Sequence, residues 1–242
     1  MARFVLCHGA FLGAWCWEPV IDPLQRAGHS VNAPDLPGSG DDRTPVADVT
    51  LEACATRVCE ALAESEEPSV LVCHSMGGVV STQSYARCPQ RVRKLVYLSA
   101  FLPRDGQSLL DLAHLPEGAS DQVQANLTIE GDPPVGHLSP EATRQAVYNL
   151  CSDEQWAWAS ARRRPQALAP FATPVALGGI VAQPRDRVYI HTLEDNAIPL
   201  ALQRRMVSEN PCATVYELVS DHAPFVSRTD ELVAILDEIA RS

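Results

Sequence analysis

Six apolar runs, at 3–7, 30–33, 69–73, 94–99, 187–191 and 213–219, punctuate the chain, with helical stretches between them. Strands that alternate with helices are joined by crossovers, so this pattern constrains the chain to a parallel sheet with right-handed connections and helices on both faces. Leu51, Cys54, Ala55, Val58 and Leu62 recur at helical spacing, as do Leu232, Ile235, Leu236 and Ile239, and both stripes are read as faces that pack on the sheet. A chain of 242 residues suits a single α/β unit, and its 46% hydrophobic content supplies a large core.

The third apolar run, Val70-Leu71-Val72, passes directly into Cys73-His74-Ser75-Met76-Gly77-Gly78 and then a helical stretch. A strained turn at such a junction, the nucleophile elbow, lifts a serine hydroxyl out of the sheet and aims the first helical N–H groups at the same space. The first glycine of the G-x-S-x-G pattern is Cys73 here, a substitution the site tolerates because cysteine is still small. As a rival nucleophile, Cys73 lies two residues before the apex and is expected to point away.

Two further stretches bring partners for Ser75. Phe4-Val5-Leu6-Cys7 leads into the small-residue loop His8-Gly9-Ala10-Phe11-Leu12-Gly13, whose Ala10 N–H, with that of Met76, is expected to form an oxyanion hole. Near the C-terminus, His222 follows the strand Val215-Tyr216-Glu217-Leu218-Val219, and Asp195 follows the strand Arg187-Val188-Tyr189-Ile190-His191. A serine hydroxyl is a poor nucleophile at neutral pH, so an imidazole must take its proton, and a carboxylate must hold that imidazole in the right tautomer. Of seven histidines only His222 follows a strand end with these partners; His8 and His74 are read as structural imidazoles bonded to nearby backbone. Asp186, Glu194 and Asp221 rival Asp195, Glu194 most closely.

The stretch 103–179 breaks the strand–helix rhythm with many prolines, a turn at Asp132-Pro133-Pro134 and helical pieces at 139–150 and 153–164. It is read as a cap subdomain inserted after the fourth strand and lying over Ser75, on a core made of 1–102 and 180–242. Phe11, Trp156 and Leu138 are the first candidates for substrate binding, with Leu115, Trp158 and Phe171 behind them.

Taken together, the His8-Gly9-Ala10 loop, Gly13-Ala14-Trp15, Ala27-Gly28-His29, Asp35-Leu36-Pro37-Gly38-Ser39-Gly40, the Ser75 elbow, Tyr148-Asn149-Leu150-Cys151, Tyr189-Ile190-His191-Thr192 and Asp221-His222 resemble one branch of the α/β-hydrolase superfamily. That branch holds plant methyl-ester esterases, the salicylate-binding esterase among them, plant hydroxynitrile lyases and bacterial esterases of similar length. The resemblance implies a doubly wound six-stranded sheet of order 2-1-3-4-5-6, with the ligand crevice where the winding reverses. It also implies catalysis by Ser75, Asp195 and His222. In the lyases a lysine follows the catalytic histidine and a threonine follows the first histidine of the N-terminal loop; here those positions are Ala223 and Gly9. A cation there would stabilise departing cyanide, so ester hydrolysis is the expectation and cyanohydrin cleavage the first alternative. A hydrolase of a bulky pathway ester, lactone, thioester or xenobiotic, and a non-catalytic ligand-binding member, are the others.

A formal charge of −11 argues against nucleic acid and anionic membranes as partners and favours small to medium neutral esters as substrates. No run is apolar enough to span a bilayer, and Met1-Ala2-Arg3 leads straight into the first strand, so a cytoplasmic chain, monomeric or homodimeric, is expected. Its eight scattered cysteines are then reduced. Without C-x-x-C, H-E-x-x-H or a phosphate-binding glycine loop, no metal or other cofactor is expected.

Overall fold

The computed structural model describes residues 1–242 apart from the side chain of Pro184. The sheet strands, in chain order, are β1 (Arg3–Cys7), β2 (Ser30–Asn32), β3 (Ser69–His74) and β4 (Val92–Leu98). Then come three short strands, β5 (Thr128–Glu130), β6 (Val135–His137) and β7 (Gln166–Ala167), followed by β8 (Arg187–Thr192) and β9 (Thr214–Leu218). The main sheet is wholly parallel with order β2-β1-β3-β4-β8-β9, the expected doubly wound arrangement of an α/β-hydrolase fold.

Side chains alternate across its strands. Val5, Cys7, Leu71, Cys73, Leu95, Tyr97 and Tyr189 face one layer, while Phe4, Leu6, Val70, Val72, Val96, Leu98, Val188 and Ile190 face the other. The first layer is covered by helices α2 (Leu51–Ala63), α3 (Gly77–Arg87) and α9 (Leu200–Glu209), the second by α1 (Glu18–Arg26), the short α10 (Pro224–Ser227) and α11 (Thr229–Arg241). Both stripes foreseen from spacing lie on these inner faces, Ile235 half-buried and the others buried. Each fully buried leucine of such a stripe contributes roughly 1.5–3 kcal/mol by leaving water.

Between β4 and β8 lie the short helices α4 (Leu109–Ala113), α5 (Gln122–Asn126), α6 (Pro140–Val147), α7 (Asp153–Ser160) and α8 (Ala169–Ala172). Helices α6 and α7 are shorter than their spacing suggests. Ser139 and Ser152 cap their N-termini through hydrogen bonds to Ala142 N and Gln155 N, but α6 ends at Tyr148 and α7 gives way before Arg164-Pro165, where a residue preceding proline is pushed out of the helical region. The antiparallel sheet β5-β6-β7 was not foreseen. Its first two strands flank Gly131-Asp132-Pro133-Pro134, and a strand of three residues is too short to show a period.

Strands β1 and β3 run in register, Cys7 opposite Cys73, so the loops that follow them leave the same edge side by side. The winding reverses between these two strands, which opens a crevice at their C-terminal ends.

Candidate active site

Ser75 has φ of 55°, in the left-handed region that a residue with a Cβ enters only under constraint. The constraint is the close passage of α3 beneath the loops of β1 and β4. A Cβ on Gly78 would stand 2.0 Å from Phe101 O, and one on Gly9 would stand 2.8 Å from both Ser75 Cβ and His74 Nδ1. Backbone at these two positions therefore lies where a side chain cannot. Cys73 is fully buried, its thiol donates toward Val96 O at 3.3 Å, and burial pushes its pKa well up, so it stays protonated and out of reach.

His222 and Asp195 meet. His222 Nδ1 lies 2.8 Å from Asp195 Oδ2, and both side chains are buried. A carboxylate only accepts, so Nδ1 carries the proton and Nε2 keeps its lone pair for a proton donor. Four other donors hold the same carboxylate: Thr192 Oγ1 at 2.7 Å and Gln203 Nε2 at 3.3 Å on Oδ2, and the N–H groups of Ala197 and Ile198, each at 2.8 Å, on Oδ1. Gln203 also donates to Ile198 O and accepts from Thr192 N, so it ties the Asp195 turn to the end of β8. Neither the pattern of charges nor any motif pointed to Gln203. Its role exists only because α9 folds back onto β8.

The rival carboxylates are placed differently. Glu194 is exposed. Asp221 is buried and receives Leu150 N, Ala223 N and the Ser227 hydroxyl, which makes it a fastening for the loop before His222.

His74 donates from Nε2 to His222 O at 2.7 Å, and the two rings stand 4.5 Å apart. Burial holds His74 well below its ordinary pKa, so it is neutral, and its Nδ1 has no partner within the protein. His8 receives Leu36 N on Nε2 and donates from Nδ1 to Gly9 O, which fixes the loop after β1.

Ser75, His222, Ala10, Met76 and Phe11 line one cavity of about 70 Å³. Its volume corresponds to roughly five water-sized sites. Among the described residues no hydrogen bond joins Ser75 to the imidazole, and the N–H groups of Ala10 and Met76 donate to no protein acceptor. Phe11, with φ of 64°, has its N–H on Gln166 Oε1 and its carbonyl on Arg164 N, so the loop carrying Ala10 is clamped to the inserted segment. Phe171 reaches the cavity wall. Leu138 instead borders a shallower depression beside Phe11, and Trp156 stands against Tyr148 with ring centroids 5.5 Å apart. Trp158 packs edge-on to Trp15, and Leu115 packs on the core.

An open parallel sheet with serine, acid and histidine borne on separate loops at its C-terminal edge is the layout of α/β hydrolases. The chain belongs to the alpha/beta hydrolase family, whose model matches residues 4–235. A chloroplastic protein of Arabidopsis thaliana, provisionally named methylesterase 13, is 35% identical over 99% of this chain, which spans 56% of that relative's length. The carbendazim hydrolyzing esterase of a Nocardioides species is 33% identical, with 96% of this chain and 97% of the relative covered. A pyrethroid hydrolase from Sphingobium faniae superposes with a TM-score of 0.88 at 26% identity over 100% of this chain and 98% of its own. No helix of the described residues is long and apolar enough to cross a membrane.

Proposed function

We propose that this chain is a cofactor-independent serine carboxylesterase acting on small to medium neutral esters. The observation that carries the reading is the 2.8 Å His222–Asp195 pair facing the same cavity as a serine held at positive φ. In this reading Ser75 Oγ attacks the ester carbonyl carbon while His222 Nε2 takes the hydroxyl proton. The N–H groups of Ala10 and Met76 receive the oxyanion, and the alcohol leaves with the proton returned by His222. Water then attacks the acyl-enzyme by the same proton route and releases the acid. Approach of substrate closes the Ser75–His222 gap, since such bonds are often long before substrate binds.

Methyl esters are the first substrates to try, because relatives named methylesterases match the chain throughout. Ala223, buried next to His222, supplies no cation for an expelled cyanide, which favours hydrolysis over lyase chemistry. Residues 103–179 act as the cap, supplying Leu109, Val123 and Val147 to the cavity wall. Eight free thiols suit a reducing, cytoplasmic setting.

The deciding experiment compares hydrolysis of p-nitrophenyl butyrate by the parent and by Ser75→Ala and His222→Ala. Turnover should drop by roughly 10⁴ or more in each. Hydrolysis that survives Ser75→Ala would remove the proposal.

A further inference from the structure

Most polar groups in the wall of the Ser75 cavity are spoken for within the protein. Asp121 receives Val123 N, Gln124 N and Gln124 Nε2, at 2.7, 3.1 and 3.0 Å. Thr143 donates to Ser139 O and accepts from Arg163 at 2.6 Å. Two groups in the part of the wall supplied by 103–179 are different. The Tyr148 hydroxyl is fully buried and has no hydrogen-bond partner within the protein, and neither has Arg163 Nε. Both residues line this cavity.

Both stand against one ring: the Tyr148 and Trp156 centroids are 5.5 Å apart, and Arg163 Cζ lies 5.5 Å from the Trp156 centroid. The Arg163 charge is felt at Tyr148, where it opposes the upward push of burial on the phenol. Among the described residues no carboxylate comes within ion-pair distance of Arg163, although Arg162 beside it pairs with Glu18 at 2.6 Å. Arg163 is half-buried and donates from Nη1 to Thr143 Oγ1, but its Nε is buried, and a buried donor left unsatisfied is costly. Arginine donates only and a phenol can donate, so an oxygen acceptor in the cavity is what each of them lacks.

We propose that Tyr148 and Arg163 form a specificity subsite for an oxygen acceptor, a carbonyl or carboxylate, that the substrate carries away from its scissile ester. The preferred substrate is then an ester of a keto acid or, should the acceptor be a carboxylate, an anionic half-ester of a dicarboxylic acid that widens the neutral class proposed above; plain alkyl esters are the poorer ones. The reading rests on Ser75 hydrolysis for its catalytic meaning, but binding alone can test it.

The test is calorimetric binding to Ser75→Ala protein, which cannot turn its ligand over by the proposed route. Methyl levulinate is compared with methyl pentanoate, and monomethyl adipate with methyl hexanoate. In at least one pair the oxygen-bearing ester should bind roughly tenfold more tightly, the scale of a hydrogen bond to a charged or buried donor. Preference for levulinate identifies a neutral carbonyl, preference for adipate a carboxylate. Adding Tyr148→Phe or Arg163→Met should each reduce that ratio several-fold. Tyr148→Phe removes only a partnerless hydroxyl, so its Tm should equal or exceed that of the parent. Equal binding within both pairs, a ratio that survives both substitutions, or a Tm lowered by Tyr148→Phe would each overturn the subsite. Because these readouts need no turnover, failure of the subsite is distinguishable from failure of the esterase reading, which p-nitrophenyl butyrate tests separately.

Discussion

The edge of the main sheet and the segment inserted after β4 treat their polar groups in opposite ways. At the sheet edge five donors converge on the Asp195 carboxylate, and His222 is held on both sides, by Asp195 at its ring and by His74 at its carbonyl. In the inserted segment Tyr148 and Arg163 present buried groups that nothing in the protein completes. The difference teaches where each kind of specificity resides. On the proposed function, the donors gathered on Asp195 and the bond from His74 fix the groups that would move the proton, whereas the open groups of the inserted segment are left for what a substrate brings.

The sharpest way to break the comparison is to spoil the satisfied side. Asp195→Asn keeps the shape but cannot hold the same tautomer of His222, and kcat for p-nitrophenyl butyrate should fall by roughly 10⁴. A loss of tenfold or less would mean that another group orients the imidazole. Gly78→Ala comes next, because its new Cβ would lie 2.0 Å from Phe101 O. It should cost about 3 kcal/mol or more, read as a lowered midpoint in urea, or prevent folding altogether.

A smaller effect concerns acid. Burial holds His74, His8 and His191 below their ordinary pKa of 6.5, so between the folded values and 6.5 the unfolded chain binds more protons than the folded one. The stability these neutral rings retain is therefore complete above about pH 6.5 and lost as the pH falls below it, at up to about 1.4 kcal/mol per pH unit for each ring. Calorimetric Tm values should drop between pH 7 and pH 5, and His74→Gln should make the drop shallower. An unchanged slope in that variant would show that His74 does not contribute. The smallest effect is reserved for Glu194→Gln, on an exposed carboxylate one residue from Asp195; kcat/KM should stay within about threefold.

Much of this was legible in the chain itself, for reasons that differ between elements. The strands of the main sheet are buried on both faces and read as continuous apolar runs, and α2 and α11 show their buried stripes at helical spacing. Ser75, Asp195 and His222 each follow a strand end, so alternation alone assigns them to one edge. What stayed hidden depends on packing between distant segments. Gln203 is one polar residue among several on α9 until that helix lies against Thr192. Arg163 sits in a run of three arginines that nothing in the sequence tells apart, yet it turns inward to Thr143 while Arg162 turns outward to Glu18. The β5–β6 hairpin and its third strand, β7, are too short for any periodicity to announce them.

The turn joining α6 to α7 is moored twice to the loops that bear the acid and the histidine. Asn149 Nδ2 reaches Glu194 O at 3.1 Å, and Leu150 N reaches Asp221 Oδ2 at 3.0 Å, so the tethers fall immediately beside Asp195 and His222. The cavity wall and the two loops that carry Asp195 and His222 are thereby tied into one piece, so a substitution that severs either tether is expected to disturb both.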